Sequence, residues 1–197
     1  MLLTDFKGAR RALPNDIEAS ILIILTLDKL NRYNEVADEF WQLLKREPDN
    51  ANFNVGFAYS MASLGKHDKA IEYYSKAIQI EPSDPNLYYN RACSFDGKEN
   101  FSRAIKDYDK AIAMNPKDPD FFYNRGYAHE KTRDHAAAIK DYTAVLQLSP
   151  NDPEAYYNRA LAKGILQQLD AACADLKKAS DLNYEQARII YKNECGQ

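Results

Sequence analysis

Apolar side chains recur along this chain at the 3.6-residue period of helices that bury one face, and the pattern itself repeats. Two such stretches, joined by a short polar turn such as LGKH or LQQL, make one unit. YYNRACSF, FYNRGYAH and YYNRALAK begin at Tyr88, Phe122 and Tyr156, two steps of 34 residues. Pro48, Pro82, Pro116 and Pro150 keep the same step, as do Val36, Ala70, Ala104, Ala138 and Ala172. Five registers fit without a gap: 17–50, 51–84, 85–118, 119–152 and 153–186. A fixed period in the range of roughly 20–50 residues denotes a solenoid or array of supersecondary units. Proline after each second stretch cannot continue a helix and sets the turn into the next unit.

Numbered within the unit, small residues stand at position 8 (Ala58, Ala92, Gly126, Ala160). Alanine stands at position 20, with Val36 the exception, and aromatics at position 24 (Phe40, Tyr74, Tyr108, Tyr142). Leu176 takes position 24 in the last unit, and Tyr184 replaces its proline. The pattern resembles the tetratricopeptide repeat. The resemblance implies an all-α fold, a right-handed superhelical array (α-solenoid) of antiparallel helix pairs. Residues 1–16 are then an N-terminal capping segment, and residues 187–197 a capping helix and tail. Small residues at 8 and 20 would let paired helices approach, and larger ones at 4, 11, 17 and 24 would fill the space around them.

The end units of a solenoid expose a face that inner units bury. In NYEQARIIYKNE, Ala187, Ile190 and Tyr191 are placed to cover repeat five. At the other end ILIILTL is apolar almost all round, a pattern normal for a helix buried on every side. Its groove-facing Ile21, Leu22 and Leu25 require a cover. Leu2, Leu3, Phe6 and Leu13 of the preceding segment are the favoured candidates; a second copy of the protein or a missing partner domain is the alternative. Arginine stands at position 7 in the last three repeats (Arg91, Arg125, Arg159), and aspartate at position 23 in the same repeats (Asp107, Asp141, Asp175). Repeat two has Phe57 and Tyr73 instead. Matched presence and absence predicts ion pairs between neighbouring helices, since a partly buried arginine needs a partner.

On a wheel of about 100° per residue, positions 4, 7, 8 and 11 of the first helix form a core side and positions 2, 5, 6, 9, 12 and 13 the opposite side. In the family the second side lines a concave groove for partner segments. Position 6 holds Asn90, Asn124 and Asn158, whose amides both donate and accept and suit the backbone of an extended peptide. Position 5 holds Tyr89, Tyr123 and Tyr157, and position 9 holds Tyr59 and Tyr127, large surfaces with a polar tip. Duplication of a solvated repeat accounts for the same recurrence equally well. Glu18, Asp28, Asp96, Asp120, Glu130 and Glu154 outnumber Lys29 and Lys131 on this side, which favours a basic or neutral partner. A family subtype that grips an acidic chaperone C-terminal tail needs lysine at 5 and asparagine at 9, asparagine at 6 in the next repeat, then lysine at 2 and arginine at 6. Repeats three to five offer Tyr89 and Cys93, then Asn124, then Glu154 and Asn158. Only the middle asparagine fits, so an acidic tail is disfavoured.

Composition removes other classes. A net charge of −3 and pI near 5.7 provide no broad basic footprint for nucleic acid, and no apolar run approaches the roughly 20 residues of a membrane span. Cys93, Cys173 and Cys195 are odd in number, far apart and without a CxxC, which argues against a disulfide framework and against zinc, and for a reducing, cytoplasmic setting. His67 and His135 at position 17 and His129 at position 11 read as structural. No phosphate loop, nucleophile motif or calcium loop is present, so neither an enzyme nor a cofactor is expected. The sequence therefore points to a non-catalytic scaffold that binds a protein or peptide in its groove, or alternatively to a homodimerising module built on the apolar first repeat.

Overall fold

The computed structural model describes residues 17–196, so the expected N-terminal cap at 1–16 lies outside the described residues. The chain divides into two compact units, Met1–Lys98 and Glu99–Gln197. The first contains α1 (Ile17–Lys29), α2 (Tyr33–Arg46), α3 (Ala51–Ser63), α4 (His67–Ile80) and α5 (Pro85–Asp96). The second contains α6 (Phe101–Met114), α7 (Pro119–Lys131), α8 (His135–Leu148), α9 (Pro153–Ile165), α10 (Leu169–Asp181) and α11 (Glu185–Ile190), which runs into a π-helical turn, Tyr191–Cys195. First helices start at 17, 51, 85, 119 and 153, and second helices at 33, 67, 101, 135 and 169, so each series keeps the 34-residue step. No strand occurs among the described residues.

The loop grammar explains why helices begin and end where they do. The aspartate of each Asp-Pro pair is an N-cap: Asp84 accepts from the Asn86 amide at 2.8 Å, Asp118 from Asp120 at 3.1 Å and Asp152 from Ala155 at 3.0 Å. The following proline occupies the first helical turn, where its missing N–H costs nothing. Inside each repeat the chain reverses through a residue at position 15 with left-handed backbone: Asn31, Gly65, Glu99, Arg133 and Gln167, all with φ between 53° and 70°. The next amide then reaches back across the turn, Lys66 to the Met61 carbonyl at 2.8 Å and Asp134 to that of His129 at 2.9 Å. This Schellman-type closure satisfies carbonyls that the helix end leaves open.

Packing follows the small positions. Ala58 and Ala70 are fully buried in the first unit, and Ala138 in the second, and Ala160 is nearly so. A Cβ added at Gly126 would come within 3.1 Å of the Tyr142 ring, so that first helix tolerates nothing much larger. Position 24 supplies the floor, with Tyr74, Tyr108 and Tyr142 essentially inaccessible. The two-sided wheel needs one correction. Positions 3 (Phe53, Leu87, Phe121, Ala155) and 10 (Ser60, Ser94, Ala128, Ala162) are also buried, and at the expected core position 11 Leu27 and Met61 are buried while Phe95, His129 and Lys163 are only half-buried. The reason is that a first helix is enclosed on both flanks, so its buried arc is wider than the contact with its own partner helix.

At the C-terminal end Ala187 is fully buried, and Ile190 and Tyr191 pack on a cluster of Ala160, Ala172, Leu176 and Ala179. Cys173 on α10 and Cys195 in the π-helical turn form a disulfide, with Cα atoms 5.6 Å apart and a sequence separation of 22. This overturns the expectation drawn from cysteine spacing: the antiparallel return of the terminal turn brings together residues that lie far apart along the chain. Cys93 takes no part in this disulfide. No helix among the described residues is long and apolar enough to cross a membrane.

Candidate peptide-binding surface

The exposed faces of the first helices are held in place by a side-chain relay that recurs at positions 25, 7 and 23. Arg125 on α7 donates from Nε and Nη2 to both carboxylate oxygens of Asp141 on α8, at 3.0 and 2.6 Å, and from Nη1 to Asp109 on α6 at 2.6 Å. Arg159 on α9 grips Asp175 on α10 the same way, at 2.8 and 2.7 Å, and reaches Thr143 on α8 at 3.0 Å. Lys163 adds a third donor to Asp175 at 2.7 Å. Such bidentate pairs fix orientation as well as charge. In the first unit Arg91 reaches Ser75 at 3.0 Å, and one repeat earlier the relay is aromatic, Trp41 to Phe57 to Tyr73, with centroids 5.7 and 4.6 Å apart. The Phe57, Arg125 and Arg159 relays each tie a first helix both to its own second helix and to the repeat before it.

In the first unit α1 presents Ile21, Leu22 and Leu25 with 43, 45 and 53% of their surface exposed. Thus the apolar first helix does show its groove-side residues, flanked by exposed Glu18, Asp28 and Lys29. Tyr59 on α3 is exposed, and its ring lies edge-on against Tyr33 of the preceding repeat at 6.2 Å. Position 6 of α3 is Gly56 because the Phe40 ring already occupies the space a Cβ would take, so the asparagine column is interrupted there. Asn90 and Cys93 on α5 line a cavity of about 300 Å³ with Tyr59, His67 and Tyr74. Burial pushes the Tyr74 hydroxyl above its ordinary range. Tyr89 and Asp96 are half-buried on the same helix.

In the second unit three of the predicted residues are hydrogen-bonded to one another. The Asn158 amide donates to the Tyr123 oxygen at 2.9 Å, and the Tyr123 hydroxyl donates to Glu154 at 3.3 Å. Burial, reinforced by Glu154, raises the Tyr123 hydroxyl to about 12. Asn124 instead folds back, donating to the Asp120 carbonyl at 2.9 Å. Tyr127 is exposed, edge-on to Phe101 at 6.5 Å, with the Lys131 ammonium 4.8 Å from its ring centre. Tyr157 stacks at 5.1 Å on Tyr184, just ahead of α11. Burial raises the Glu130 carboxyl above the usual carboxylate value, against the opposing pull of Tyr142, His135 and Lys131. Asp120 and Glu154 are exposed at the rim.

The asparagines are therefore not three equivalent free amides: Asn124 is bonded to its own helix and Asn158 to a tyrosine of the preceding repeat. Spacing could not reveal this, because it depends on how far a position-5 side chain reaches into the next repeat. His67 fills the space a Cβ on Gly97 would need, and His129 lies 3.9 Å from Asp141 beneath Arg125.

Three family models match the chain, described as tetratricopeptide repeat over residues 89–153 and 153–186 and as TPR repeat over residues 58–95. A search of curated protein sequences returns no significant match. Among solved structures, the crystal structure of MamA superposes with a TM-score of 0.79 at 22% identity, covering 84% of this chain and 97% of that one. YrrB, titled a TPR protein with an unusual peptide-binding site, gives a TM-score of 0.78 at 17% identity over 95% of this chain and 97% of its own. The first TPR of Spaghetti (RPAP3), bound to the HSP90 peptide SRMEEVD, gives 0.58 at 30% identity, covering 59% of this chain and 93% of that one. The superpositions match the expected all-α superhelical solenoid fold.

Proposed function

From the premise that this chain belongs to the tetratricopeptide-repeat family, we propose that it is a non-catalytic interaction scaffold whose first-helix faces bind a neutral or basic segment of a partner protein. The patch on α7 and α9 carries the reading. There Tyr123, Asn158 and Glu154 form one hydrogen-bonded group, and Asp120, Glu130, Tyr127 and Tyr157 stand on the same two helices. Pinned aromatic rings give contact area at low entropic cost, and carboxylates at the rim favour cationic side chains and repel acidic ones. Two of the structural neighbours are titled as peptide-binding proteins. The acidic SRMEEVD peptide of one of them is a poor model for this chain, which lacks the lysines and the arginine of the chaperone-tail clamp.

Titration of fluorescent peptides tests the reading. A lysine- and arginine-containing peptide should bind, weaken with added salt, and weaken further when Asn90, Asn124 and Asn158 are all alanine, with little change in melting temperature. Tighter binding of an acidic peptide, or unaltered binding by the triple variant, would remove the assignment. The exposed Ile21, Leu22 and Leu25 support a second reading, self-association through the first repeat. Ile21→Glu or Leu25→Glu should then convert a dimer into a monomer in light scattering, and a native protein that is monomeric at all concentrations excludes it.

A further inference from the structure

The C-terminal end of the array depends on few attachments. Helix α11 is six residues long and has no side-chain N-cap bond. Its ion pair, Arg188 to Glu185 at 2.6 Å, is internal to the cap. The cap meets the last repeat through Tyr184, Ala187, Ile190 and Tyr191, and through one covalent link, Cys173–Cys195. A cavity of about 450 Å³ lies between cap and repeat, walled by Leu161, Ile165, Leu169, Leu176 and Ile190. Both bonded cysteines border it and are only half-buried, so a small thiol can reach the sulfurs.

We propose that Cys173–Cys195 is a thiol–disulfide exchange site that decides whether the terminal cap is closed, with a dithiol as its co-substrate. The thiolate of the dithiol attacks one sulfur and the S–S bond breaks, leaving a mixed disulfide. The second thiol of the reductant resolves that intermediate. The dithiol closes to its own disulfide, and its two electrons and two protons end on Cys173 and Cys195 as two free thiols. A terminal segment that loses its cross-link regains the conformational freedom the bond removed. Glu185–Cys195 then opens and uncovers Ala160, Leu176 and Ala179, the apolar face that a solenoid must cap to stay soluble. Exchange with a small-molecule disulfide recloses it: that disulfide's S–S bond breaks as the Cys173–Cys195 bond re-forms, and the two electrons and two protons leave on its two thiols.

Thiol titration and hydrogen exchange on the full chain test the proposal. Of the three cysteines, the air-oxidised protein, denatured without reductant, should show Cys93 alone as reactive; after native treatment with dithiothreitol all three should react. Amides in Glu185–Cys195 should exchange faster on reduction, by about tenfold or more, while α3 is unchanged. Cys195→Ser should exchange like the reduced protein and ignore dithiothreitol, and Cys93→Ser should still respond. Three reactive thiols before reduction, a bond that resists dithiothreitol in the folded protein, or equal exchange in both states would overturn the assignment.

Discussion

Repeats two and four solve the same packing problem with opposite chemistry. In repeat two, positions 7 and 23 are Phe57 and Tyr73, edge to face at 4.6 Å, with the Lys76 ammonium 3.9 Å from the Tyr73 ring centre. In repeat four they are Arg125 and Asp141, a bidentate pair whose aspartate side chain is only 4% exposed. The preceding repeat contributes from position 25 in both cases, Trp41 to the aromatic relay and Asp109 to the ionic one. The backbone is indifferent to the choice, but the energetics differ. An aromatic pair loses contact area when one ring is truncated, whereas an ionic pair strands a buried charge. The ionic version is the more brittle, because its partners are safe only together.

Separating the ionic partners should therefore have the largest effect. Arg125→Leu leaves Asp141 buried without its guanidinium and should cost about 3–5 kcal/mol in urea denaturation. Adding Asp141→Leu should recover most of that loss; a double variant as weak as the single one would mean the pair is not the source. Transplanting the pair comes next. Phe57→Arg and Tyr73→Asp should each destabilise, and the double variant should be better than their sum by about 1–3 kcal/mol. Simple additivity would show that repeat two cannot host the ionic arrangement. The smallest effect lies at position 12, where repeat two has Ala62 and repeat four has Glu130. Because burial raises the folded Glu130 carboxyl above its unfolded value, its charge costs stability that is absent at acid pH and present in full once the folded group ionises. Glu130→Gln should thus be neutral at acid pH and stabilising by less than about 1 kcal/mol at neutral pH, read from thermal melts at both.

The 34-residue step made the helix starts legible, and co-occurrence made the Arg125–Asp141 and Arg159–Asp175 pairs legible, because both are properties of one position compared across repeats. What the sequence hid are relations between different positions of neighbouring repeats. Tyr123 at position 5 reaches Asn158 and Glu154 one repeat on, and Phe40 at position 24 dictates Gly56. Positions 3 and 10 were assigned to neither side because a helical wheel treats a helix as having one neighbour. The disulfide escaped because spacing rules assume a compact cysteine framework, whereas here the cap folds back over the last repeat.

The left-handed turn residues carry a consequence for how this molecule can be tuned. Five turns share one backbone, yet glycine fills the critical place only at Gly65; Glu99, Arg133 and Gln167 hold the same conformation with full side chains. L-residues pay roughly 1–2 kcal/mol for that geometry. Glycine at Arg133 or Gln167 should therefore raise the melting temperature in a thermal melt without altering any groove position. The array thus contains a set of independent thermostability dials, one in each repeat but the second, set apart from the surfaces on which recognition would be selected.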